Sequence, residues 1–189
     1  MVGISGASGV VYGVRAVEVL AKSGHEVHVV VSKGAEAVAR HEMGLDLAER
    51  LQDIGGDVTR YDEEDASARP ASGSFLVDGT LVIPASLRTV AAIAHGYADT
   101  LVTRAAMVAL KERRRLVLVP RETPVDLITV RNWETLIEAG ARLVPAMPGF
   151  YHRPRRMEDL VDHVVGKALD SLGVAHELFA RWDPEPPSA

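Results

Sequence analysis

The sequence predicts an α/β fold in which a parallel sheet carries helices on both faces. Five short apolar runs rich in β-branched residues alternate with stretches of amphipathic helical spacing. A glycine-rich turn joins the first run to the first helix, the usual place for a ligand loop in such a sheet.

The first run, residues 1–4, is short for a strand expected at the centre of the sheet. It enters Gly3-Ile4-Ser5-Gly6-Ala7-Ser8-Gly9 and then a helix beginning at Val10. Glycines allow a sharp turn and close approach to a ligand, and the helix start presents unpaired N–H groups, so the junction suits an anion. Its glycines fall at 3, 6, 9 and 13, which is not the G-x-G-x-x-G spacing of a dinucleotide site, and an ordinary β–α turn remains open.

Lys22-Ser23-Gly24 closes that helix, and residues 26–31 read as the second strand. A dinucleotide fold places an acid near the end of this strand for a ribose hydroxyl. Ser32 stands there instead, leaving room for a mononucleotide such as FMN. Residues 34–53 have helical spacing and end at Gly55-Gly56. Residues 58–74 read as a long loop, with Asp62-Glu63-Glu64-Asp65 as a solvated acidic run and Ala71-Ser72-Gly73-Ser74 as a candidate for ligand contact.

Residues 79–84 form the third expected strand, followed by Ser86-Leu87-Arg88-Thr89 and a helix over 90–95. Ser86 and Thr89 suit either helix capping or a phosphate, with Arg88 supplying charge. The next helix, 101–113, carries Arg104 and Lys111 two turns apart on one face. Arg113-Arg114-Arg115 suits its C-terminal dipole. The fourth strand, 116–120, runs into Arg121-Glu122, and a helix over 126–139 leads to the fifth strand, 142–146. A rigid loop, Met147-Pro148-Gly149-Phe150-Tyr151-His152-Arg153-Pro154, precedes the last long helix, 157–172.

In a doubly wound sheet the ligand lies beyond the carboxyl ends of the strands. Ser8, Ser32, Ser86, Arg88, Arg121, Glu122 and Tyr151 each fall just after an expected strand, so folding gathers them along one edge. Arg88 and Arg121, with Arg104, Lys111 and Lys167 from helices, suit ligands bearing more than one phosphate. Glu122 is the carboxylate placed at a strand end and the natural proton carrier, with simple pairing to a neighbouring cation as the alternative.

The bulk properties narrow the classes further. The 189 residues fit one domain, and 47% hydrophobic with 25% charged residues is globular composition. The absence of cysteine excludes disulfides and thiolate metal sites, and the seven histidines show no metal-ligand spacing, so no metal is expected. His152 and His163 read as structural. A net charge of −5 argues against nucleic acid as the main partner. No apolar run reaches membrane-spanning length, and no leader pattern opens the chain, so a cytoplasmic protein is the expectation. The G-x-S-x-G elbow of a serine hydrolase is missing.

Six segments together resemble the flavin prenyltransferases of the UbiX/Pad family. They are Gly3-Ile4-Ser5-Gly6-Ala7-Ser8-Gly9, Pro84-Ala85-Ser86-Leu87-Arg88-Thr89, Ala94-His95-Gly96-Tyr97, Lys111-Glu112-Arg113-Arg114-Arg115, Pro120-Arg121-Glu122-Thr123-Pro124 and the 147–154 loop. The resemblance implies a flavodoxin-like (Rossmann-like) three-layer sandwich. It also implies a single flavoprotein domain over 1–182, a flexible tail over 183–189, and a cytoplasmic homo-oligomer, typically a dodecamer. The implied reaction is metal-independent joining of a dimethylallyl group from dimethylallyl phosphate to N5 and C6 of reduced FMN, giving prenylated FMN for UbiD-type decarboxylases.

By motif, Gly6, Ala7, Ser8, Ser32, Ser86, Leu87, Arg88, Thr89 and Arg121 correspond to FMN-binding positions. Arg104, Lys111, Glu122, Tyr151, Lys167 and Trp182 correspond to the dimethylallyl phosphate site, with Glu122 and Ser8 as catalytic candidates. Family members often carry Met-Lys where this chain has Leu87-Arg88, and Arg where it has Lys167; charge is kept but donor geometry changes. Two rivals remain at this level: an FMN-dependent cysteine decarboxylase, whose Pro-Ala-Ser-Ala-Asn-Thr and Pro-x-Met-Asn signatures are missing here, and a non-catalytic flavin carrier.

Overall fold

The computed structural model describes residues 1–182; the 183–189 tail lies outside the described residues. Its strands are β1 (Val2–Ile4), β2 (Val27–Val31), β3 (Val58–Asp62), β4 (Gly79–Ala85), β5 (Arg115–Pro120) and β6 (Arg142–Leu143). Its helices are α1 (Val10–Lys22), α2 (Lys33–Glu42), α3 (Leu47–Gln52), α4 (Leu87–Ala94), α5 (Leu101–Lys111), α6 (Leu127–Glu138) and α7 (Met157–Leu172). The strands pair in parallel in the order β3-β2-β1-β4-β5-β6. The three-layer architecture is the expected one, with the strand order of a Rossmann sheet and its switch point between β1 and β4.

Strands buried on both faces read as continuous apolar runs. Val27, Val29 and Val31 of β2, Leu81 and Ile83 of β4, and Val117 and Val119 of β5 face the layer of α1, α2, α3 and α7. Val30, Val82, Leu116 and Leu118, one residue out of phase, face the layer of α4, α5 and α6. Helix α1 lies close against β4: a Cβ placed on Gly13 would sit 2.5 Å from the Ile83 carbonyl oxygen. The Arg15 guanidinium forks onto Asp162, Nε to Oδ1 at 2.6 Å and Nη2 to Oδ2 at 3.1 Å, and ties α1 to α7.

Several sequence expectations need correction. The 58–74 stretch is not a loop throughout: β3 pairs with β2 from Val27↔Val58 to Val31↔Asp62, and a 3₁₀ turn covers Arg69–Ala71. The sheet therefore has six strands, and the missed one is an edge strand, partly exposed along its length, whose Thr59, Arg60 and Asp62 hide the apolar pattern. The single helix expected over 34–53 is two, because Gly44 turns at φ 64° and Asp46 caps a new start by accepting the Ala48 and Glu49 N–H groups. Helix α4 begins at Leu87 instead of residue 90, and β6 stops at Leu143, short of Pro145. Strand β1 is as short as expected yet central, paired with β2 on one side and β4 on the other.

Candidate active site

Beyond the carboxyl ends of β1, β2, β4 and β5 lies a cleft of about 640 Å³, within the usual range for small-molecule sites. Its walls include Gly6, Ala7, Ser8, Ser32, Ser86, Leu87, Arg88, Thr89, Arg121 and Glu122. Each follows a strand, and the switch point brings them together because neighbouring loops diverge there to opposite faces. The first and second of these loops touch through backbone alone: a Cβ on Gly6 would meet the Gly34 backbone at 2.9 Å.

Three of the helix starts at this edge, those of α1, α2 and α4, are treated differently by the chain. At α1, the Gly9 N–H donates to Glu42 Oε2 at 2.8 Å. At α2, the Ser32 hydroxyl accepts the Ala35 N–H, and Glu63 Oε1 accepts the Lys33 N–H at 2.6 Å. At α4, Ser86 Oγ accepts the Thr89 N–H at 3.3 Å and lies 3.0 Å from Thr89 Oγ1. Among the described residues no carboxylate bonds the backbone N–H groups of the α4 start, although Arg88 pairs with Asp99 at 3.0 Å. The first-turn amides there have no intrahelical acceptor, so this start keeps the electropositive field an anion needs.

Glu122 Oε1 accepts the Thr123 N–H at 3.0 Å, which orients the carboxylate within the wall. Burial raises the Tyr12 phenol above its usual value, while Arg121 opposes the rise and Glu42 adds to it. The cleft wall also holds Lys33, Glu63, Asp99, Thr100 and Thr103, which sequence reasoning did not single out. Glu63 corrects the reading of the acidic run as wholly solvated, since it is 9% exposed. Its signal was the β-branched and aromatic alternation of 58–62, which puts it just after a strand.

The remaining expected site residues stand apart from this wall. Arg104 Nε donates to the Ala71 carbonyl at 3.0 Å, and Lys111 pairs with Glu112 beside Gly73. The 71–74 segment is thus held by cations, with Arg114 adding bonds to the Gly73 and Phe75 carbonyls, and Ala71 and Arg104 line an adjoining hollow that shares Glu63, Glu64, Asp99 and Thr100 with the cleft. On the other side, Tyr151 meets Trp182 edge-on with centroids 5.7 Å apart, and Lys167 lies 3.8 Å from Asp170. His152 and His163 stack beneath Tyr151 at 5.0 Å. Among the described residues no group of three or more His, Asp or Glu is arranged to hold a metal.

The Flavoprotein family model matches residues 1–169. The flavin prenyltransferase UbiX of Halalkalibacterium halodurans is 45% identical over 97% of this chain and 93% of its own. The chain belongs to the UbiX flavin prenyltransferase family. A crystal structure of AnUbiX in complex with FMN and dimethylallyl pyrophosphate superposes with a TM-score of 0.92 at 39% identity, over 98% of this chain and 97% of that one. A dodecameric FMN-dependent UbiX-like decarboxylase from Escherichia coli O157:H7 gives 0.91 at 41% identity, over 97% and 98%. The flavin prenyltransferase family thus accounts for the fold along almost the whole chain.

Proposed function

We propose that this flavin prenyltransferase joins the dimethylallyl group of dimethylallyl phosphate to N5 and C6 of reduced FMN. The observation that carries this reading is the cleft itself, where the Arg88 and Arg121 guanidiniums, the hydroxyls of Ser8, Ser32, Ser86 and Thr89, and the Glu122 carboxylate converge at the switch point of a Rossmann sheet.

The donor set fits FMN. Ser86 and Thr89, the Leu87 and Arg88 amides, and the Arg88 and Arg121 guanidiniums hold its phosphate at the α4 start, where no carboxylate among the described residues bonds the backbone N–H groups and the phosphate shares Arg88 with Asp99. Gly6, Ala7 and Ser32 admit the remainder without bulky side chains, and Ser8 orients the reacting edge. Bound reduced flavin supplies the nucleophilic nitrogen and carbon. Glu122 holds the proton that must be moved as the second bond closes.

Arg104, Lys111 and Lys167 neutralise the leaving phosphate, and the faces of Tyr151 and Trp182 stabilise developing allyl-cation charge. These five do not line the cleft of one protomer, so in this reading other copies complete it. Leu127, Ile128, Met147, Phe150 and Met157 expose large apolar surfaces, which association would cover. A dodecamer of single 1–182 domains in the cytoplasm, handing prenylated FMN to a UbiD-type decarboxylase, follows from that reading. No helix among the described residues is long and apolar enough to cross a membrane.

The test is anaerobic incubation with reduced FMN and dimethylallyl phosphate, then mass spectrometry of the extracted flavin. A gain of one prenyl unit is expected; unchanged flavin mass would leave only a carrier. Replacing the monophosphate by the diphosphate in a parallel arm shows which leaving group the cations accept.

A further inference from the structure

One buried hydroxyl joins the two loops that diverge at the switch point. Ser5 follows β1 directly and is 1% exposed. Its Oγ donates to the Pro84 carbonyl at 2.8 Å and accepts the Ser86 backbone N–H at 2.8 Å. Its own N–H donates to the same carbonyl at 3.2 Å. Pro84 has no N–H to give the ladder, and pairing between β4 and β5 shifts register between Val82 and Ala85. Pairing resumes at Ala85↔Pro120, one residue before Ser86. The Ser86 side chain is already committed to Thr89, and its N–H lies outside the helix ladder. An acceptor for that N–H must come from another element, and Ser5 provides it.

We infer that Ser5 is a positioning residue for the flavin phosphate. Its hydroxyl fixes the first turn of α4 against the 6–9 turn, so that the donors of 86–89 are set before ligand arrives. Ser5 is not part of the cleft wall and acts through Ser86. Donors already in place spare the ordering cost that otherwise reduces affinity. The inference rests on the proposed use of the cleft for FMN.

The experiment compares the unaltered chain with Ser5→Ala and Ser5→Thr by FMN fluorescence titration, by prenylation rate against FMN concentration, and by thermal melting of the apoprotein. Ser5→Ala is expected to raise the FMN Kd by about tenfold, the scale of one lost hydrogen bond to a buried group. KM for FMN should rise more than kcat falls. Ser5→Thr keeps the hydroxyl and should return Kd to within about threefold of the unaltered value, half a decade on the same scale. A lower melting temperature in Ser5→Ala with unchanged Kd overturns the inference, as does an affinity loss in Ser5→Thr equal to that in Ser5→Ala. If Ser5→Ala does not fold, Ser5→Cys, nearly isosteric with a weak acceptor, is read by the same criteria. Failure of the unaltered chain to bind FMN would overturn the flavin reading and this inference with it. Saturable binding in the unaltered chain that Ser5→Ala matches overturns the inference alone.

Discussion

The Glu63 carboxylate accepts the Lys33 N–H at 2.6 Å, so an acid just after the edge strand closes the start of a helix that follows the neighbouring strand. The contact offsets the α2 dipole and satisfies one of its first-turn donors. Glu63→Ala should cost about 1 kcal/mol, the scale of a lost cap. Thermal melting should show a fall of about 2–4 °C, the shift expected for a chain of this size. Glu63→Gln, which can still accept the bond, should lose less.

Glu122 lines the cleft and is oriented by the Thr123 N–H. Glu122→Gln keeps shape and removes the proton-carrying function. FMN affinity should stay within about twofold, a few tenths of a kcal/mol. Single-turnover product formation should slow by about 10²- to 10⁴-fold, the usual contribution of a positioned acid or base. Equal turnover in the variant would remove Glu122 from the reaction.

Gly13 faces the Ile83 carbonyl across the α1–β4 contact, and a Cβ there would approach it to 2.5 Å. The obstacle is backbone and has no rotamer to move into. Gly13→Ala should therefore destabilise by about 1–3 kcal/mol despite the better helix propensity of alanine. A denaturant melt that showed a gain in stability would contradict the packing described.

Burial lowers the His28 pKa below its ordinary 6.5, with Glu26 opposing the shift. His28 packs edge-on against Phe75 and shares a hydrogen bond with the Tyr61 hydroxyl at 3.1 Å. His163 shifts in the same direction through burial, then through His152 and Lys167. A depressed histidine pKa means that the unfolded chain takes up the proton first, so stability falls as pH drops through 6.5 and levels below the folded values. Melting temperature should decline as pH drops below about 6.5, the unfolded histidine value. His28→Gln should flatten part of that decline.

The apolar runs that became β2, β4 and β5 were legible because strands buried on both faces are mostly apolar, with His28 and Thr80 too few to blur them. Strand β3 was not, since an edge strand keeps one side in water, and its Thr59, Arg60 and Asp62 read as loop. Missing β3 also hid Glu63, which no longer appeared to follow a strand. The α2–α3 break was obscured by Val38, Met43, Leu47 and Leu51, whose helical spacing runs through Gly44 and Asp46.

Read alone, the chain specifies the α/β class, the glycine turn at residues 3–9, the hydroxyls and cations after each strand, and through its motifs the flavin prenyltransferase family. These are local properties: periodicity, turn chemistry and short motifs need no knowledge of distant neighbours. Folding adds the Ser5 bridge to residues some eighty positions away, the carboxylates that close α1 and α2 while leaving α4 open, and the separation of Arg104 and Lys111 from Tyr151, Lys167 and Trp182. Those depend on which loops the sheet order places side by side, and strand order is fixed by the packing of whole layers.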